Sequence, residues 1–279
     1  MALAFLPMPT SDPTPPPPDL VEAWSTSAQT VLDLGHELGE EDLGRDTDLP
    51  GWTVQDILAH LAALDSELAG EAPAAIDTSA IPSEAVGDPF RAHTEMGVSV
   101  RRGRSAAEVL TELAEAVRRL RVLLAADDPP PPPSSFPRRG GWTAVLSDRT
   151  LDYWMHEQDV RRAVGRPGGW DTPGAGVTIS AFLAALPFVV GRKVRPATGT
   201  TVAWAVAGPS GTTEVTIRMD GDGRARPVRT ADADVALSMS LEDFVLACGG
   251  RRETDELSVR MDGDTDLGLA VLANMAVTP

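Results

Sequence analysis

Three polar residues of this chain have types and spacing suited to chemistry: His60, inside the apolar stretch DILAHLAAL, and the pair Asp152 and His156 in TLDYWMHEQDV. They have the look of metal ligands. On a helix, side chains at i and i+4 stack on one face, so Asp152 and His156 can grip one ion while His60 closes the site from a neighbouring helix. Asp159, three residues beyond His156, continues the stripe and can orient that imidazole through its other ring nitrogen. Two neutral imidazoles and a carboxylate suit a borderline divalent ion, zinc first, with iron(II) or another divalent metal as the alternative. Three protein ligands leave a coordination position open for water or a substrate atom, which is the pattern of a catalytic site. A closed structural site needs a fourth ligand, and only Asp56 or His93 could be drafted.

Each member also has an ordinary explanation. His60 can be a hydrogen-bonded core histidine, and Asp152 with His156 a plain helical i,i+4 pair. Against that, Asp148, Asp152, Met155, His156, Asp159 and Ala163 share one helical face, where a bundle helix normally turns apolar residues inward. A carboxylate buried there without a partner would be costly, and a cation would compensate it. Spacing alone leaves both readings open.

Other catalytic patterns are missing. GPSG around Ser210 is not a G-x-S-x-G elbow, no G-x-x-x-x-G-K-[ST] loop occurs, and no G-x-G-x-x-G follows a strand. The one cysteine, Cys248, excludes an internal disulfide and a cysteine-built zinc site, fits a reducing compartment, and reads as a small buried apolar residue. His36 and His93 read as surface or loop histidines. Trp52 and Trp154 read as core anchors that flank the candidate ligands and can also line a cleft.

The elements that must position these residues follow from periodicity. Residues 1–18 form a proline-rich extended lead. Val21, Trp24, Ala28, Val31, Leu32 and Leu38 recur at helical spacing and predict a first helix over residues 20–38. After the turn LPGWT, Thr53 and Asp56 form a capping box for a second helix that runs toward Gly70 with His60 in its middle. A short helix near His93 leads to a third long helix over residues 105–126. The prolines at 129–133 break it as a stiff connector, and SDRTLDYWMHEQDVRRAVG predicts a fourth helix ending at Gly165. Four antiparallel helices make a bundle, a fold that commonly builds metal sites from inward-facing side chains. Beyond one more apolar helix over residues 178–190, the alternation of Val202/Trp204/Val206, Val215/Ile217/Met219, Val235/Leu237/Met239 and Leu257/Val259/Met261 predicts strands. Helices are interleaved over residues 241–247 and 266–275. The expected fold is therefore α+β: a helical bundle over residues 19–174, then a smaller domain over residues 175–279 with a mostly antiparallel sheet.

Composition sets the partner class. The chain of 279 residues is 42% hydrophobic and 23% charged, ordinary for a globular protein with a sizeable core. Its net charge of −17, from 41 acidic and 24 basic residues, opposes binding to a phosphate backbone. The start, MALAFLPMPTSDPTPPPP, lacks a basic leader and a long apolar run, and the apolar segment 179–190 is too short for a span and contains Pro187. The expectation is a cytoplasmic, soluble protein, a monomer or homodimer, with no nucleic acid or membrane partner.

The segments LPGWTVQDILAHLAALDSEL, LDYWMHEQDVRRAVGRPGGWD, DADVALSMSLEDFVLACGGRR and LAVLANMAVTP together resemble the mycothiol-dependent maleylpyruvate isomerase family of actinobacteria. The resemblance spans nearly the whole chain after the lead. It implies a DinB-like metal-binding four-helix bundle followed by an α+β domain reminiscent of sterol carrier proteins. It implies zinc held by His60, Asp152 and His156, where the isomerase itself has glutamate at the carboxylate position. Asp152 is one methylene shorter, so either the helix sits closer or the carboxylate binds differently. Mycothiol is the implied cosubstrate: a small thiol that zinc activates as a thiolate, which adds to a small electrophilic substrate in an isomerase or S-transferase reaction. An arginine of the second domain is implied for substrate or thiol binding, with Arg251, Arg252 or Arg218 able to serve. The rival readings are a non-catalytic small-molecule or lipid-binding protein and a zinc hydrolase that activates water.

Overall fold

The computed structural model describes residues 15–133, 141–230 and 232–278. Most of the expected proline-rich lead lies outside them. The chain divides into two compact units, with the boundary after Thr178.

The first unit is built on four long helices, α1 (Pro18–Glu37), α3 (Val54–Leu68), α5 (Ala106–Leu124) and α6 (Gly141–Ala163), with the short α2 (Glu40–Leu43) and α4 (Pro89–Ser99) between them. Helix α1 begins on Pro18, where a missing N–H costs nothing because the first turn has no intrahelical acceptor for it. It packs on α5 and α6, and α3 packs on the same two helices, so the four close a ring around one core. That core includes Trp24, Val31, Ile57, Leu61, Leu113, Leu120, Leu146 and Tyr153. The turn before α3 needs Gly51 in the left-handed region, at φ 78°. There Thr53 and Asp56 close the expected capping box, with Thr53 N donating to Asp56 Oδ2 at 3.1 Å and Asp56 N to Thr53 Oγ1 at 3.3 Å.

Helix α6 departs from expectation in two ways. It already starts at Gly141, a full turn and more before the predicted start, because Trp142, Val145 and Leu146 bury against the core. Its second half is buried all round, from Tyr153 through Val160, rather than carrying one polar stripe. The far side is covered by the loop after the helix: Trp154 Nε1 donates to Gly169 O at 2.8 Å and Gln158 Nε2 to Gly168 O at 3.1 Å.

Helix α7 (Pro173–Phe188) runs on into a wider turn, Val189–Val194, just after Pro187, whose missing N–H already interrupts the ladder. The joined stretch Pro173–Val194 has 22 residues, longer than the apolar segment expected, and its most apolar 18-residue window has a mean hydropathy of 1.8. By length and composition it would pass for a membrane span, and so would a core helix. Its Phe182, Leu186, Val189 and Val190 are buried.

The second unit carries a five-stranded sheet in the order β3-β2-β1-β4-β5, from β1 (Thr201–Gly208), β2 (Gly211–Met219), β3 (Ala225–Val228), β4 (Val235–Ser240) and β5 (Arg260–Gly263). Three pairings are antiparallel and β1 with β4 is parallel. In that parallel register Val202, Trp204 and Val206 stand beside Val235, Leu237 and Met239, so one face presents a continuous apolar patch. Helix α8 (Leu241–Cys248) packs on β1 and β4, and α9 (Thr265–Leu272) on β4 and β5.

Candidate metal centre

The bundle brings His60, from the middle of α3, against Asp152 and His156 on α6. His60 Nε2 lies 3.3 Å from Asp152 Oδ2, and His156 Nε2 lies 3.3 Å from Asp152 Oδ1. One ligand atom from each residue falls within 4.8 Å of the others. The imidazole rings meet edge to face, with centroids 4.9 Å apart. Exposure is uneven: the Asp152 side chain is 28% exposed, against 5% for His60 and 7% for His156. Solvent therefore reaches the trio past the carboxylate.

Charge differs across the three. Burial pushes the His60 imidazole down to about 4, against the pull of Asp152, so it is neutral near pH 7 with a lone pair free to donate. Burial also acts to lower His156, but Asp152 and Asp159 outweigh it and hold that imidazole above its ordinary value. Burial alone would raise Asp152. Instead His60, Arg149 and His156 keep its carboxyl well below the usual range. An ionised carboxylate beside a neutral imidazole fits a divalent cation, and the remaining ring nitrogens of the two histidines are treated differently. His156 Nδ1 lies 3.1 Å from Asp159 Oδ2, the carboxylate–histidine arrangement that fixes a metal-binding ring. Asp159 is in turn held by Arg162 at 2.6 Å, which also reaches Asp48 at 2.6 Å. His60 Nδ1 is buried with no hydrogen-bond partner among the described residues.

Residues not singled out from the sequence complete the surroundings. Arg149, one turn before Asp152, donates to its Oδ2 and, through Nε, to Asp65 Oδ1 at 2.9 Å. Tyr153 OH donates to Asp65 Oδ2 at 2.6 Å. A signal existed: Arg149, Asp152, Tyr153 and His156 lie on one i, i+3, i+4, i+7 stripe of α6. Trp52 is both anchor and wall. Its indole is 7% exposed, its centroid lies 5.1 Å from His60 and 6.2 Å from His156, and its Nε1 donates to Glu95 Oε1 at 3.2 Å.

The other candidates have partners of their own. Asp56 caps its own helix and pairs with Arg102 at 3.0 Å, and His93 lies 3.1 Å from Glu67, so neither is a fourth ligand. Trp154 packs on Trp170 with centroids 5.3 Å apart. In the second unit Arg251 and Arg252 follow α8 and donate to the carbonyls of Gly249 and Arg251, while Arg218 pairs with Asp220 at 3.0 Å. Cys248 is buried, and burial pushes its thiol far up, away from nucleophilic use.

Residues 24–161 match the family described as the mycothiol maleylpyruvate isomerase N-terminal domain. Among solved structures, the crystal structure of the mycothiol-dependent maleylpyruvate isomerase is 18% identical, covering 86% of this chain and 90% of that chain with a TM-score of 0.50. A point mutant of that isomerase is 16% identical over the same 86% and 90%, with a TM-score of 0.49. A sterol carrier protein from Aedes aegypti is 17% identical, covering 35% of this chain and 93% of that chain, with a TM-score of 0.26. At such identities the first likeness is one of fold. Among curated proteins none matches the chain.

Proposed function

Through residues 24–161 the chain belongs to the mycothiol maleylpyruvate isomerase N-terminal domain family, and from that membership we propose a metal-dependent enzyme that uses mycothiol against a small electrophile. The observation that carries this reading is the placement of Asp152 between two imidazole Nε2 atoms, each at 3.3 Å, with the buried His60 neutral. His60, Asp152 and His156 would hold the ion. When bound, zinc or a similar divalent ion with an open position lowers the pKa of a thiol sulfur and so supplies a thiolate at neutral pH. The chain's own part is to bind and orient. Asp159 fixes the His156 ring, and Trp52 shields the site from water on the imidazole side. The thiolate then adds to a carbon conjugated to a carbonyl, and the electron pair moves to the carbonyl oxygen. Rotation and expulsion of the thiolate complete an isomerisation, whereas protonation at carbon from solvent releases a thioether product. Arg251, Arg252 or Arg218 is proposed to meet the substrate's negative charge. The single buried cysteine supports a reducing, cytoplasmic setting.

The test is elemental analysis of protein purified without chelator, followed by mycothiol titration of the wild type and of His156→Ala. About one equivalent of metal, lost in the variant together with thiol binding, is expected. Metal-free wild type that binds no thiol would overturn the enzyme reading and leave a small-molecule or lipid-binding protein. A metal-bound wild type indifferent to mycothiol would point to a hydrolase that activates water.

A further inference from the structure

We propose that Arg149 holds one oxygen of Asp152 away from the metal, so that this short carboxylate binds through its other oxygen alone and a coordination position stays open for the thiol. The inference rests on the metal-dependent reading above and concerns a positioning residue within it.

The geometry divides the two carboxylate oxygens. Oδ1 faces His156 at 3.3 Å, whereas Oδ2 faces His60 at 3.3 Å and also accepts a hydrogen bond from Arg149 Nη1. Arg149 does not depend on Asp152 for its place. Its side chain is 3% exposed, and Asp65, fully buried, takes its Nε at 2.9 Å. Asp65 is steadied in turn by the Tyr153 hydroxyl at 2.6 Å, and the guanidinium lies 4.9 Å from the Tyr153 ring centroid. Asp65 already balances the charge of Arg149, so a neutral, well-packed core would need no third member. Nη2 is buried with no hydrogen-bond partner among the described residues, so the guanidinium is oriented by its two carboxylates rather than by satisfying every donor.

This bears on coordination number. A carboxylate on a one-methylene arm, lying between two imidazoles, can offer both oxygens to the same ion, and a two-oxygen grip would consume the position a catalytic site keeps open. A fixed cation on Oδ2 competes for that oxygen. Orienting partners of this kind commonly shift metal affinity or activity by about 10–100-fold when removed.

Cobalt(II) in place of the native ion tests this, because its visible absorption is strong at four-coordinate sites and weak at higher coordination. Removing Arg149 alone would strand Asp65 as a buried charge, so the test variant is Arg149→Met with Asp65→Asn, beside Arg149→Lys, which keeps a cation on Oδ2. The wild type and Arg149→Lys are expected to show intense bands. The double variant is expected to lose them several-fold and to bind mycothiol about tenfold or more weakly. An unchanged cobalt spectrum in a folded double variant, with only its unfolding midpoint lowered, would make Arg149 a structural ion-pair member and overturn the inference alone. A wild type that takes up no cobalt would overturn the metal reading itself.

Discussion

His60 and His156 carry the same side chain, yet their surroundings push them in opposite directions. His60 is governed by burial and falls to about 4, whereas His156 is governed by Asp152 and Asp159 and rises above its ordinary value. Asp152 stays ionised throughout the accessible range. The sign of the pH dependence follows. Above about pH 5.5 a metal ion displaces no proton from His60, already neutral there, but must displace one from His156 wherever that imidazole is protonated. Metal affinity should therefore weaken as pH falls through the raised His156 value, by about tenfold per unit, with a slope of one proton. Competition against a chelator between pH 8 and pH 5.5 measures it. A two-proton slope would mean that His60 titrates in the ordinary range and is not desolvated as described.

At the scale of elements, α3 matters most because it carries His60 and is capped at its N-terminus. Its capping box satisfies first-turn donors that no carbonyl can reach, so Thr53→Ala should destabilise by about 1 kcal/mol, read as a lower denaturant midpoint at unchanged slope. Alongside, α4 approaches so closely that a Cβ on Gly97 would stand 2.9 Å from the Ala63 Cβ, one turn beyond His60. Gly97→Ala should cost about 1–3 kcal/mol, and metal uptake should weaken with it if the shift reaches the trio. A fully stable Gly97→Ala protein would show that α4 can move without cost. Much of this element plan was legible locally: the capping box, the helical period of α1, α3 and α5, and the alternation of β1, β2 and β4 all write themselves into short stretches. The early start of α6 and the strand β3 were not. Trp142 and Val145 reveal their role only against the packed core, and Ala225–Val228, with Pro227 inside, becomes a strand only because β2 offers it an edge.

At the scale of the molecule, the chain divides into two units, and the candidate centre lies within the first. A ligand that binds only the folded form stabilises it by about 2.7 kcal/mol at a hundredfold excess over its dissociation constant. For a unit of this size that is a rise of roughly 5–10 °C in the unfolding midpoint. Calorimetry with and without zinc should show the rise in the wild type and none in His60→Ala. An equal rise in both would place metal binding elsewhere on a chain whose charge of −17 attracts cations generally.

By itself the sequence determined which residues could serve as ligands, because residue type and the i,i+4 interval are local properties of one helix. It also determined the two-part α+β plan, because periodicity changes from helical to alternating along the chain. Only the tertiary structure decided that His60 meets the Asp152–His156 pair, since no local pattern encodes a contact between α3 and α6. It alone brought Asp65 from α3 behind Arg149, divided the two oxygens of Asp152 between neighbours, and set β1 parallel to β4. Each of these depends on which faces bury against one another, and burial is a property of the packed chain rather than of any segment in it.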